Sequence, residues 1–266
     1  MPAWLESFFA DYVYAFVHNC LPSSWEDWFY DLADKFVLNF IDDDRYLYIL
    51  KGLGITMLIT LLAVLLGIVL GFLTAIIRST YDRCVQTRQK SFGWFILSLL
   101  NKIAKIYLTV IRGTPVVVQL MIAYFVIFAS SNNSIMVAVL AFGINSGAYV
   151  AEIVRSGIMS IDNGQTEAGR SLGFNYSQTM LYIIIPQAFK NVLPALANEF
   201  IVLLKETSVA GYISIRDLTK GGDIIRSQTY SAFMPLLAVA GIYLVIVMFF
   251  TWLVSKLERR LRNSER

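Results

Sequence analysis

The chain has 266 residues, 57% of them hydrophobic and 15% charged, with a formal net charge of +3 at pH 7. Soluble domains are about a quarter charged, so this composition excludes an ordinary soluble protein and points to a membrane. The net charge is too small for a nucleic-acid partner, and the basic residues gather beside apolar stretches.

Residues 1–45 read as an amphipathic N-terminal extension. Phe8, Phe9, Tyr12, Val13, Phe16 and Val17 recur at helical spacing, and so do Trp25, Trp28, Phe29, Leu32, Phe36 and Phe40. Leu21-Pro22-Ser23-Ser24 separates the two patterns, with Ser24 the expected N-cap. Two amphipathic helices on the outer face, or against the spans, are predicted. The N-terminus carries Glu6 and Asp11 where a signal peptide would be basic, and no cleavable signal is expected.

Residues 46–266 are read as one transmembrane domain. A membrane-crossing helix needs about 20 mostly apolar residues. Leu53–Ile77 meets this without a charge. Thr114–Ala129 is shorter and extends backwards through Ile103–Ile111, giving a second span broken at Arg112-Gly113-Thr114-Pro115. Proline removes a donor and glycine adds freedom there, so a kink is expected, serving either gating or packing. Ile135–Ile158, Lys190–Leu204 and Ala232–Val254 complete the set. The fold class is all-α, a polytopic membrane protein of about five spans.

Basic residues follow the first span (Arg78, Arg83, Arg88, Lys90) and the last (Lys256, Arg259, Arg260, Arg262, Arg266). By the positive-inside rule both flanks are cytoplasmic, which puts the N-terminus outside and the C-terminus inside. Cys20 and Cys84 then fall on opposite sides, and no disulfide is expected.

Asn145, Tyr149, Glu152 and Ser156 share one helical face of the third span. An intramembrane carboxylate must be compensated. Glu152 is read either as a substrate contact or as the partner of Arg155 or Arg112. Lys205-Glu206-Thr207-Ser208 interrupts the fourth apolar stretch. It is read either as non-helical backbone lining a cavity or as the end of the span. Gly67-x-x-x-Gly71 and Gly143-x-x-x-Gly147 offer small surfaces for helix packing, within the subunit or between two subunits, the first being favoured.

Residues 158–190 form the cytoplasmic insert between spans three and four. Asp162-Asn163-Gly164 predicts a turn, and Glu167, Ala168, Gly169 and Gly173 a short helix with a small-residue face, ended by glycine. Pro186 marks re-entry into an apolar helix. The stretch EAGRSLGFNYSQTMLYIIIP resembles the "EAA" loop of bacterial importer permeases, with Gly169 for the second alanine and Ile185 for a leucine. IRGTPVVVQ (residues 111–119), NSGAYVAEIVR (145–155) and LLKETSV (203–209) resemble segments of polar amino-acid permeases, with Glu206 in place of the usual aspartate. The chain from about Tyr46 onward is thereby similar to the inner-membrane subunit of binding-protein-dependent ABC importers for polar amino acids.

The resemblance implies the type I ABC importer permease fold and a site in the bacterial cytoplasmic membrane. It implies a dimer with itself or a sister subunit, an ABC ATPase dimer, an extracytoplasmic binding protein and an amino-acid substrate, cationic ones included. Glu167, Ala168, Gly169, Arg170, Gly173 and Phe174 would contact the ATPase. Asn145, Tyr149, Glu152, Gln119, Thr207 and Ser208 would line the substrate pathway, with Arg112, Gly113, Thr114 and Pro115 at a gate. No G-x-x-x-x-G-K-[ST] phosphate loop is present, so ATP and magnesium are expected on the partner ATPase, with no cofactor in this chain. The single histidine, His18, makes a metal site unexpected, and no nucleophile–base pair suggests an enzyme. A gradient-driven secondary transporter or channel is the alternative.

Overall fold

The computed structural model describes residues 23–86 and 92–263. Among them there is no strand. The helices are α1 (Ser23–Phe36), α2 (Tyr46–Gln86), α3 (Phe92–Gly113), α4 (Val116–Ile127), α5 (Ser134–Met159), α6 (Asn163–Ser171), α7 (Tyr176–Ile213), α8 (Leu218–Thr229) and α9 (Phe233–Asn263). Of these, 5 are long and apolar enough to cross a membrane: Tyr46–Asp82, Phe92–Gly113, Ser134–Met159, Tyr176–Ile213 and Phe233–Leu261. The expected pattern at Phe8–Val17 lies outside the described residues. The second pattern forms α1 as far as Phe36, with Phe40 in the wide turn Val37–Ile41 beyond it; α1 begins at Ser23 and so places Ser24 inside its first turn.

Two spans differ from expectation. The second is α3, and the apolar stretch after Pro115 is the separate helix α4. Proline pushes the residue before it out of helical geometry, so Thr114 cannot carry one helix into the next. The exposed Lys102 and Lys105 break the apolar run of α3 without breaking its backbone. The fourth span, α7, starts at Tyr176, well before Lys190, and does not stop at Lys205-Glu206. From Thr207 to Ile213 it tightens into a 3₁₀ helix that ends on Ser214 at φ 63°. Bonds three residues apart keep those backbone groups paired, so no non-helical stretch forms there. Pro186 sits within the same helical run. It can offer no donor to Tyr182, and the chain takes a wide turn at Met180–Ile184, where the Ile185 N–H donates to the Met180 carbonyl.

The described residues fall into two compact units. The first joins residues 23–56 to Arg216–Val245 around Phe40, Ile49, Leu218, Ile225 and Val239. Asp217 caps α8, its carboxylate accepting from the N–H groups of Thr219 (3.1 Å) and Lys220 (3.2 Å). Burial pushes this carboxyl up, while the same N–H donors draw it down. The Leu218 N–H donates to Thr56 Oγ1 at 3.1 Å. This leaves no room at Gly52, where a Cβ would stand 2.5 Å from the Asp217 carbonyl oxygen. Because that neighbour is backbone, Gly52→Ala is expected to destabilise the protein by about 3 kcal/mol, read as a lower unfolding midpoint in detergent. Gly54→Ala, with nothing within 4 Å, is the matched control.

The second unit comprises Met57–Ile215 with Ile246–Arg266. Its main core lies between α5 (Val150, Val154, Ile158) and α7 (Ile184, Ala188, Val192, Leu196), with Ala75 of α2. Lipid tails are as apolar as these side chains, so close packing, not water exclusion, holds such helices together. The glycine pairs do this reciprocally. A Cβ on Gly67 or Gly71 would strike Ser146 or Val150, and one on Gly143 or Gly147 would strike Leu66 or Leu70. Both motifs therefore join α2 to α5 inside the chain, as expected.

Candidate functional site

The site grows from the break after α3. Ending a helix there frees carbonyls that hydrocarbon cannot satisfy. Thr114 Oγ1 donates to the Val110 carbonyl at 2.8 Å. Gln119 Nε2 donates to the Ile111 carbonyl (2.7 Å) and Thr114 Oγ1 (2.7 Å). Gln119 Oε1 accepts from Asn145 Nδ2 of α5 at 2.9 Å. Gln119 and Asn145 thus meet each other and bridge the break to α5. Gln119→Ala is expected to lower stability by about 2 kcal/mol, since it strands the Ile111 carbonyl and the Asn145 amide; the unfolding midpoint of the purified permease measures it.

Arg112, left at the C-terminal end of α3, reaches across to α5. Its guanidinium lies 5.6 Å from the Tyr149 ring centroid, and its Nη1 is 3.9 Å from Glu152 Oε1. The nearer partner of Glu152 is Arg78 of α2, at 3.1 Å. Arg155 turns instead to Asp82, at 3.6 Å. Of the two partners expected for Glu152, Arg112 is in place and Arg155 is not. In the sequence Arg78 stands only as one of the flanking charges that set orientation.

Two cavities meet along this face, each about 610 Å³, and both are bounded by Arg112, Tyr149 and Glu152. The first continues to Arg78 and Lys105. The second continues past Ser156 to Asn191 and Glu199. Glu199, on α7, is only 8% exposed and accepts from Ser146 Oγ at 2.8 Å. Sequence reading missed it because the Lys190–Leu204 run was weighed for length; the rule that singled out Glu152, an acid inside a span, would have found it. Thr207 and Ser208 stand outside both cavities, Thr207 fully buried and donating to the Leu204 carbonyl at 2.8 Å.

The insert after α5 has its own geometry. Asp162 Oδ1 caps α6 on the Gly164 N–H at 2.6 Å. At the other end Gly173, at φ +83°, carries the turn. Its N–H donates to the Arg170 carbonyl (2.9 Å), and the Phe174 N–H to the Gly169 carbonyl (3.0 Å), the paired bonds of a Schellman cap. Gly169 is buried, and a Cβ there would stand 2.9 Å from Thr179 of α7. The residue at this position lets α6 lie against α7. Glu167, Ala168 and Arg170 stay exposed, as do Gly173 and Phe174. Leu172 (74% exposed), Leu181 (57%) and Tyr182 (66%) leave an apolar surface beside them.

A model of the family described as "Binding-protein-dependent transport system inner membrane component" matches residues 92–263. The arginine transport system permease protein ArtQ of Bacillus subtilis (strain 168) is 36% identical over 221 residues, covering 82% of this chain and 94% of the relative. The glutamine transport system permease protein GlnP of Escherichia coli (strain K12) is 38% identical over 177 residues, 65% of this chain and 80% of the relative. Among solved structures, a chain from the crystal structure of an amino acid ABC transporter with histidines aligns with a TM-score of 0.70 at 42% identity, covering 80% of this chain and 94% of that one. A chain of the inward-facing MetNI methionine ABC transporter aligns with a TM-score of 0.68 at 16% identity and shares the fold. With the family model matching residues 92–263 and most of both lengths matched in the arginine permease, this chain belongs to the family of inner-membrane components of binding-protein-dependent transport systems, a transport subunit with the type I ABC importer permease fold.

Proposed function

We propose that this chain is the permease subunit of an ATP-driven importer of polar amino acids, cationic ones included. The observation that carries the reading is the pair of cavities lined by Tyr149 and by Arg112 and Glu152, charged groups set among membrane spans. Ionisable residues within spans face a bundle interior or a water-filled cavity and mark substrate paths. A cavity that presents cations and carboxylates together suits a zwitterion. The arginine and glutamine permeases that resemble the chain support the same class. The gradient-driven alternative is not favoured by the family match.

In this scheme the exposed segment Glu167–Phe174 docks on one subunit of an ABC ATPase dimer, which holds the ATP and magnesium; this chain carries no cofactor. A second permease subunit, identical or sister, completes the pore, and an extracytoplasmic binding protein delivers substrate. The charge bias of the flanks supports an N-terminus outside and a C-terminus in the cytoplasm of a bacterium. ATP binding favours one of two pore states through differential affinity. The test is uptake of labelled arginine and glutamine into proteoliposomes holding permease, ATPase and binding protein. Uptake that needs ATP and the binding protein is expected. Uptake driven by an ion gradient without ATP would overturn the reading.

A further inference from the structure

By length and composition α3 could cross a membrane, but its two ends stand on the same side of the apolar layer. Arg78 comes directly after Ile77, the last residue of the uncharged run of α2, and so marks where that span leaves the hydrocarbon. Glu152 of α5 accepts from Arg78 Nη1 at 3.1 Å. Arg112, in the last turn of α3, lies 3.9 Å from the same carboxylate oxygen. The C-terminal end of α3 is therefore at the level where the first span exits. Its N-terminal end, Phe92, is reached from Gln86, about two turns beyond Arg78 on that same side. A crossing helix of 22 residues would hold its ends about 33 Å apart, a full bilayer core.

Around its axis α3 carries three strips. Asn101, Ala104 and Leu108 are buried. Beside them Tyr107 Oη donates to the Ile144 carbonyl at 2.6 Å, and Leu108 packs with Ala148 and Ala151 of α5. Phe92, Phe95, Leu99, Ile103, Ile106 and Val110, three or four residues apart, are each more than half exposed. Between these strips stand the exposed Lys102 and Lys105. An apolar strip of that length stays in water only at a large hydrophobic cost. An apolar face rimmed by lysines suits a helix lying in the headgroup layer, where long basic side chains extend to the phosphates.

We propose that α3 does not cross the membrane but lies along the leaflet at which the first span exits, with its exposed apolar strip among the lipid chains and Lys102 and Lys105 on anionic headgroups. The crossing itself falls to the segment after Pro115. No charge occurs between Thr114 and Ala129, and α4 packs along α5 from Asn145 toward the start of that helix. That the leaflet is the cytoplasmic one rests on the orientation proposed above; the placement of α3 against the bilayer does not.

The experiment places one spin label at a time on α3 of the full-length permease, in nanodiscs of phosphatidylcholine with about a quarter phosphatidylglycerol. Cys20→Ser with Cys84→Ser removes the native thiols, and Phe95→Cys, Leu99→Cys, Ile103→Cys, Ile106→Cys or Val110→Cys takes the label. Relaxation by oxygen and by a water-soluble nickel complex reports depth. All five labels are expected at one depth, about 5–10 Å into the boundary between headgroups and chains. A depth greatest at Ile103 and falling toward both ends means a crossing helix, and full nickel access at all five means a helix in water; either overturns the proposal. The headgroup contact is read by quenching of a bimane on Ile106→Cys with doxyl-labelled phosphatidylglycerol or phosphatidylcholine. With both lysines in place the anionic lipid is expected to quench about threefold more strongly, and Lys102→Gln with Lys105→Gln to bring the two lipids close to equality. Equal quenching with the lysines in place, or a preference that the double variant keeps, overturns their assignment to headgroups. Neither measurement needs ATP or an amino acid, so failure here is distinct from failure of the transport reading.

Discussion

Gly173→Arg is expected to cut ATP-driven uptake by more than about tenfold while the protein still inserts and purifies as a stable species. Gly173 sits at φ +83° in the turn that ends α6, and a Cβ there would meet nothing within 4 Å. An arginine therefore has room within the chain. Its penalty is the left-handed backbone, about 1–2 kcal/mol and local to an exposed turn. The larger effect falls on whatever meets this surface, where a long cation would stand among Leu172, Phe174 and Tyr182, all exposed and apolar. Gly173→Asn tolerates the same backbone without the bulk and should retain most of the uptake. Uptake and ATP hydrolysis measured together in proteoliposomes separate the cases. Hydrolysis that no longer responds to substrate marks lost coupling, while full uptake by Gly173→Arg would remove α6 from the drive contact.

Arg78→Ala is the second large effect. It leaves Glu152 with Arg112 alone, at 3.9 Å. Fully buried pairs lose about 3–5 kcal/mol when one partner is removed, and exposed pairs contribute about 0–1. With side-chain exposures of 15% for Arg78 and 30% for Glu152, about 2 kcal/mol is expected, read as a fall in the unfolding midpoint of the purified permease. The informative variant is the double one. Arg78→Ala with Glu152→Ala removes the stranded charge and should recover more than half of the loss, because the single change is costly mainly through the carboxylate left behind. A double variant as unstable as the sum of the two single changes would show that the pair is not coupled.

The spans were legible because they depend on composition over a stretch of chain. Ser134–Met159 matches the expected Ile135–Ile158 to within a residue at each end. Where composition misled, a single residue had been given too much or too little weight. Pro115 divides α3 from α4, whereas Pro186 interrupts nothing, because a wide turn at Met180–Ile184 accommodates it. Lys205-Glu206, readable as the end of a span or as a break lining a cavity, is a point where the helix tightens. The short helix of the insert was readable for the same local reason: Asp162, Gly169 and Gly173 act through caps and turns a few residues long.

Partnerships were another matter. Periodicity put Asn145, Tyr149, Glu152 and Ser156 on one face; the last three line a cavity wall, while Asn145 is buried against Gln119 and lines neither cavity. It could not say that Arg78, far away in the chain, would stand 3.1 Å from Glu152 while the neighbouring Arg155 turned to Asp82. It could not join Gln119 to Asn145, nor bring Ser146 to Glu199. Helix formation follows from hydrogen bonds four residues apart and from side chains repeating along one strip of surface, so the order of residues carries it. Which strips face each other follows from the rotation and offset of packed helices, set here by glycines that let α2 and α5 approach and by a proline that redirects the chain after α3. The number of spans, the family and the shape of the insert are properties of local sequence. The ion pairs, the cavities and the burial of Glu199 against Ser146 exist only once those helices are packed.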